Sequence, residues 1–294
     1  MVSSPQTEEW TGKDVSIAAI ERQLASLRRS IYEETEGPDL RTSVMTHMAW
    51  VPEDWLEQAT ETLNGLAERH PSRTLILVPD PGGENRLDAE LSVRCFPVAG
   101  QQQNVCSEVI ELWLCGRRTS APASIVQPLL IADLPVFLRW RGQPPFGASQ
   151  FEQLCEVADR LVVDSAEWDG LPAAHGALEE TFERVAVSDI AWSRTLEWRR
   201  SIAQLWPGVA GISTLRVIGP HADALLLVGW LRSRLDRQIE LELEAGESLE
   251  TVELDGEVVE RPRDEARTAS DLLSDELDNF ERDPVYEAAV RAAR

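Results

Sequence analysis

Lysine is almost missing from this sequence: Lys13 stands alone, and every other basic side chain is an arginine. Basic groups are scarce altogether, 28 against 51 acids, for a formal net charge of −23. Gripping a phosphate backbone or an anionic membrane requires clustered positive charge, so neither nucleic acid nor membrane is expected as a partner. Long apolar runs are missing too. The richest, Ala224 to Val228 and Ser124 to Leu138, are too short or too broken by Pro and Asp to span a bilayer. The opening stretch, Met1 to Trp10, has no basic start and no apolar run of the secretory type. These absences predict a cytoplasmic protein.

Cysteine is sparse. Cys95, Cys106, Cys115 and Cys155 contain no CxxC pair, and His47, His70, His175 and His221 are scattered, so no metal site is expected. Cys95, Cys106 and Cys115 lie in strand-like segments, where a reduced thiol serves as a small core residue. Function is therefore not expected to depend on a disulfide. The glycine motifs that cradle nucleotide phosphates are absent, as are G-x-S-x-G and HExxH; Gly82-Gly83 reads as a turn. No catalytic residue and no cofactor is expected.

What is present is an ordinary globular balance, 43% hydrophobic and 27% charged over 294 residues. That length suits one large or two medium domains whose cores need no staples. Ile17, Ile20, Leu24, Leu27 and Ile31 form one helical stripe, which Gly37-Pro38 should end. Thr42 to Val51 reads as a strand, and Pro52-Glu53-Asp54 opens a helix with buried Leu56, Ala59, Leu63 and Leu66. His70-Pro71 stops that helix before a strand over Thr74 to Val78. Ala89, Leu91, Val93 and Cys95 alternate with polar residues, as do Ile110, Leu112 and Leu114 with their neighbours. The pair reads as antiparallel, joined by the polar run Gly100 to Asn104. A short helix over Ser124 to Ile131, a strand to Trp140, a helix over Phe151 to Ala158 and a strand over Arg160 to Asp164 follow.

Glu179 to Trp206 reads as helical, broken near Ser188-Asp189, with Ser188 as a possible cap. Thr214 to Ile218 is a strand, and Ala222 to Leu235 a helix apolar on most sides. Ile239, Leu241 and Leu243 alternate with Glu240, Glu242 and Glu244, and Asp255-Gly256 is a hairpin turn. Asp264 to Phe280 holds Leu273, Leu277 and Phe280 at helical spacing, and Asp283-Pro284 starts a last helix. The expected class is α/β: a layered mixed sheet with flanking helices, then a smaller C-terminal α/β domain with an antiparallel meander. The divisions expected are a helical segment over 1–39, an α/β domain over 40–185 and a second over 186–294.

Candidate sites are few. Asp133 and Asp164-Ser165 stand at the ends of buried strands, where α/β proteins place ligands. Asp164 has the chemistry of a general base or a hydroxyl acceptor; it has equally that of a turn cap or a partner for an arginine such as Arg160. Arg73, at a helix-to-strand joint, has the fork to anchor a carboxylate or phosphate. Tryptophan and arginine cluster twice, as Arg139-Trp140-Arg141 and as Trp192, Arg194, Trp198 and Arg199, with Trp206 beyond. Such pairs mark interface hot spots, or pack partly into a core.

Several of these segments resemble one family. They are Arg41-Thr42-Ser43-Val44, His70-Pro71-Ser72-Arg73-Thr74, Ser124 to Trp140, Asp159 to Ser165, Asp189 to Arg194 with Trp198-Arg199, Gly229-Trp230-Leu231, and Arg282 to Tyr286. In this order they are similar to the OpcA family of glucose-6-phosphate dehydrogenase assembly proteins. The resemblance implies a two-part α/β chain with no catalysis of its own. It implies a partner that binds that dehydrogenase and promotes its active form, at the entry to the oxidative pentose phosphate pathway. Cyanobacterial members are associated with redox control through cysteines in their C-terminal part. This chain has none after Cys155, so that property does not carry over. The rival reading is an enzyme or sensor for a sugar phosphate or nucleotide, built on Asp133 and Asp164.

Overall fold

A computed structural model describes residues 6–35, 39–40, 43–66, 69–97, 104–261 and 267–294. The chain divides into two compact units, Met1–Arg141 with Gly147–Leu161, and Gly142–Phe146 with Val162–Arg294. The Gly37-Pro38 stop, Arg41-Thr42, most of the polar run from Gly100 and the beginning of the segment from Asp264 lie outside the described residues.

The first unit opens with β1 (Gln6–Gly12), α1 (Ile17–Thr35) and the two-residue β2 (Asp39–Leu40). It continues with β3 (Met45–Trp50), α2 (Leu56–Asn64), β4 (Ser72–Asp80), β5 (Leu87–Pro97) and β6 (Asn104–Cys115). Then come α3 (Ala123–Val126), β7 (Val136–Trp140), α4 (Ser149–Val157) and the start of β8 (Arg160–Val163). The strand order is β1-β5-β6-β4-β3-β7-β8, with β2 beside β6. Neighbours from β6 through β4 and β3 to β7 are parallel, while β5 and β1 are antiparallel additions at one edge. In register, Leu91, Ile110, Leu75 and Met48 line one face, and all four are buried. On the other face Ala49, Val51, Ile76 and Val78 pack against Ala59 of α2. Of the α1 stripe, Ile20, Leu24, Leu27 and Ile31 are buried and Ile17, at its start, is partly exposed. Each such side chain stabilises by about 1.5–3 kcal/mol.

Two features of this unit differ from expectation. The polar first residues form β1, paired from Gln6 to Gly12 with Cys95 back to Ala89. Their alternation is weak because an edge strand buries little. Cys95 and Cys106, expected to be free thiols, form a disulfide across β5 and β6. The hairpin register sets them opposite one another, with Cα atoms 4.1 Å apart. Spacing rules built on CxxC do not see such cross-strand pairs. Cys115 and Cys155 are free and buried.

The second unit takes over at Val162 of β8 and adds α5 (Ala173–Glu179), β9 (Ala186–Asp189), α6 (Ile190–Arg194) and α7 (Leu196–Gln204). β9 is the sheet neighbour of β8. The helix expected through Glu179 to Ser188 is thus corrected: residues 186–189 are a strand, and Asp189 rather than Ser188 caps α6, accepting from the Ala191 amide. Four residues are too few for a period to show, and tertiary pairing decides the conformation.

A separate small sheet follows, from β10 (Thr214–Gly219), α8 (His221–Leu235), β11 (Glu240–Ala245), β12 (Thr251–Leu254) and β13 (Glu257–Val258). Its order is β11-β10-β12-β13. The antiparallel meander expected here is corrected in part: β11 pairs parallel with β10, and only β12 and β13 are antiparallel additions. The apolar helix α8 is the reason, since it carries the chain back to begin a parallel strand. Glu240, Glu242 and Glu244 are exposed and Ile239 is buried, as the alternation implies; Leu243, at 38% exposed, is not. Helices α9 (Ala269–Leu277) and α10 (Pro284–Ala292) complete the unit. α10 lies so close on α8 that a Cβ on Gly229 would stand 2.1 Å from the Ala289 carbonyl oxygen.

Candidate functional site

The densest group of titratable side chains lies in the second unit. Asp164 follows β8, where the strand ends and the backbone needs a cap; its Oδ1 accepts from the Ala166 amide at 3.1 Å. Asp189 ends β9 and accepts from the amides of Ser165 and Ala191 at 3.0 and 2.9 Å. Arg194 closes α6, at the helix end that favours a cation. Asp223 stands in the first turn of α8, the end that favours an anion.

Arg194 joins them. Its Nη1 and Nη2 donate to the two oxygens of Asp164 at 2.9 and 2.8 Å. Nε and Nη2 reach Asp223 at 3.4 and 3.3 Å. Burial opposes the charge on Arg194, but Asp164 and Asp223 together hold its pKa above the usual arginine range. Burial pushes Asp223 up to about 6 against the pull of Arg194. Asp189 is pushed up to about 7, by burial first and then by Asp164. The hydroxyl of Tyr286 donates to Asp189 at 3.3 Å, and burial with Asp189 raises the tyrosine's own pKa.

The Trp/Arg residues of this unit are mostly interior. Trp192 is 6% exposed and donates through Nε1 to Asp283 at 2.8 Å. The Arg199 guanidinium lies 3.3 Å above its ring, bonded to Thr195 Oγ1 and to the Trp192 carbonyl. Burial draws Arg199 down to about 10. Trp198 packs in the small core with Ile202, Val209 and Ile212. Trp206 differs, at 64% exposed beside Leu205 at 48%.

The candidates of the first unit are interior too. Trp140 stacks on Trp50 at 4.9 Å and meets Phe151 edge-on. Arg139 is buried and donates to the Trp140 carbonyl. Arg141 donates to Gln58 at 2.6 Å and lies over Trp55. Arg73 is buried against Glu108 at 2.7 Å, with Glu21 and the Leu129 carbonyl on Nη1. It is thereby a structural tie of α1 and of the Gln127–Leu129 turn after α3 to the sheet. Asp133 is exposed in a turn with φ 64, ahead of the N-terminal end of β7. Of the residues singled out by sequence, the fold brings together Asp164, Ser165 and Arg194. Asp189, Asp223 and Tyr286 are not among the candidates the sequence offers; the local signals are an Asp capping α6, an Asp in the first turn of α8 and the Asp283 cap ahead of Tyr286.

Arg194 and Asp223 also line a cleft of about 660 Å³. Its walls come from α6, α7, the start of α8, the Glu247–Leu249 loop and the flanks of α9. Among the described residues no group of acids, histidines and cysteines has the arrangement to hold a metal ion. No described helix is long and apolar enough to cross a membrane.

Family models place both halves of the chain. Residues 63–180 match the glucose-6-phosphate dehydrogenase subunit N-terminal domain, and residues 185–290 the C-terminal domain of the same subunit. A relative from Nostoc punctiforme named OxPP cycle protein OpcA is 26% identical over 245 residues, 74% of this chain and 52% of that protein. One of the same name from Synechocystis is 26% identical over 182 residues, covering 58% and 38%. Another from Synechococcus elongatus is 25% identical over 196 residues, covering 63% and 44%. The matched part spans about half or less of the length of these relatives. With its two halves matched in order by the two domains, this chain belongs to the OpcA family of glucose-6-phosphate dehydrogenase subunits.

Proposed function

We propose that this chain is a non-catalytic cytoplasmic partner of glucose-6-phosphate dehydrogenase, which binds that enzyme and favours its active form. The observation that carries the reading is membership of a dehydrogenase-subunit family along both halves of the chain. The state of the charged groups supports it. Asp164 is committed to Arg194 and to a cap, and Asp133 is an exposed turn residue, so the rival enzyme or sensor built on that pair gains nothing from the geometry.

A partner can shift an equilibrium only by binding one state better than the other, and about 1.4 kcal/mol of difference gives a tenfold shift. Trp206, a side chain of the hot-spot type, faces solvent just beyond α7, with exposed Leu205 before it and exposed Arg200 on α7. Within the same unit Trp192 and Trp198 are buried and Arg199 and Arg194 only partly exposed, so they support the fold rather than offer a contact; Arg139, Trp140 and Arg141 are buried in the first unit.

The test is kinetic. The purified chain is assayed alone for dehydrogenase and lactonase turnover, then added to the cognate dehydrogenase over a range of substrate concentration. No turnover alone, with raised activity in the mixture, is the expected result. A chain that neither binds the dehydrogenase nor changes its kinetics would refute the reading.

A further inference from the structure

We propose that the cleft of the second unit binds a small phosphate ester of a hydroxylated ring. Its volume, about 660 Å³, is in the range of small-molecule sites. Three kinds of group line it, and each answers one part of such a ligand.

The first kind is cationic. Arg194, Arg200, Arg261 and Arg267 all face the cleft, a local concentration in a chain of net charge −23. Arg194 is held by Asp164 and Asp223 and acts as a fixed post. Arg200 pairs with Glu197 and Arg267 with Asp275, each as an accessible ion pair. Pairs of that kind contribute little and exchange readily for a better anion. Arg261 is exposed and has no partner among the described residues. A phosphate, with its several acceptor oxygens, is the anion that suits forked donors arriving from different elements.

The second kind is anionic, and it separates an ester from a bare anion. Glu197, Asp223, Glu247 and Asp275 line the same space, four carboxylates beside the four arginines. Carboxylates repel a phosphate but accept strongly from hydroxyls. A ligand carrying both a phosphate and several hydroxyls satisfies both sets at once. The third kind is apolar: part-exposed Leu196 and Leu249, backed by the buried Trp198 and Leu272, offer a surface to the carbon face of a ring.

The experiment is calorimetric titration of the chain alone with a hexose phosphate, a nucleoside diphosphate, their unphosphorylated parents and inorganic phosphate. Saturable binding of at least one ester is expected, about tenfold or more tighter than its parent and than inorganic phosphate. The double variant Arg200→Ala with Arg261→Ala should weaken it about tenfold while melting as wild type does. Arg22→Ala, at an exposed position on α1 of the first unit, should leave it unchanged. The proposal is overturned if neither ester binds at millimolar concentration. It is equally overturned if inorganic phosphate binds as tightly as the esters, or if the folded double variant binds as wild type does. No dehydrogenase is present, so the outcome is independent of the functional reading above.

Discussion

Arg194 and Asp164, thirty residues apart, meet as a two-pronged ion pair with both nitrogen–oxygen distances below 3 Å. The pair ties the end of β8 to the end of α6, and Asp223 adds the start of α8 to the same guanidinium. In a fully buried pair, removing one partner strands the other charge and costs about 3–5 kcal/mol; here Asp223 still faces Arg194 once Asp164 is gone. Here the side chains are 27% and 13% exposed, so Asp164→Asn should cost less, about 1–3 kcal/mol. Arg194→Lys should cost a similar amount, because an ammonium has no fork. Urea unfolding of the two variants checks this; stability within error of wild type in both would show the pair to be idle.

Two buried histidines carry a pH dependence. Burial, then Arg139 and His70, holds His47 down to about 3. Burial and His221 hold His175 down to about 4, and neither of its ring nitrogens has a hydrogen-bond partner. Both stay neutral when folded and gain a proton on unfolding below the ordinary value of 6.5. Their penalty is nil above pH 6.5 and grows as pH falls toward 4, by about 1.4 kcal/mol per pH unit per histidine. Asp189 and Asp223, raised to about 7 and about 6, act with the opposite sign. Their stabilising contribution is full below pH 3.8 and is lost as pH rises through 6 to 7. The two effects offset one another in mildly acidic solution, so the wild type alone is a poor probe. His175→Phe isolates one of them: its stability relative to wild type should rise by about 1.4 kcal/mol for each pH unit below 6.5. Parallel stability curves for the two proteins would contradict the assignment.

Cys95 and Cys106 give a prediction by counting. Unfolded without reductant, the chain should show two reactive thiols, Cys115 and Cys155, and four after reduction. With eleven residues of separation, loss of the cross-link should cost about 2–3 kcal/mol. Four thiols in the unreduced protein would disprove the pairing in solution.

Gly229 and Gly208 make a matched pair. Gly229→Ala drives a Cβ into the Ala289 carbonyl and must part α8 from α10, which should cost about 3 kcal/mol or more. Gly208→Ala meets nothing within 4 Å and should be neutral or stabilise by up to about 1 kcal/mol. Thermal melting of both variants decides; equal effects would contradict the close approach.

The elements that were legible in the sequence are those whose periodicity is long enough to declare itself. The stripe from Ile20 to Ile31 and the alternations around Leu91 and Ile110 fall where they were read, because burying one face of each leaves a repeated mark. β9, with four residues, leaves none, and β1 buries too little to show its alternation. Pairing partners were illegible for a different reason. Nothing within Glu240 to Ala245 says whether its neighbour runs parallel, since α8 and the whole small sheet decide that. The site was half legible. Asp164 and Arg194 each drew notice as local chemistry, but their meeting across thirty residues is tertiary. The Trp/Arg clusters read equally as interface or as core and are largely interior, because an aromatic ring with a hydrogen-bonded or stacked arginine suits a core as well as an interface.

β1 has one more consequence, for anyone who shortens or tags this chain. It covers the outer backbone of β5 along seven residue pairs, from Gln6 with Cys95 to Gly12 with Ala89. Stripped of it, β5 would present an open row of amides and carbonyls on a strand that carries Leu87, Leu91 and Val93, a template for another molecule to add to. Removing the β1 residues should therefore increase self-association through this sheet edge, seen as a rise in light scattering before any change in melting.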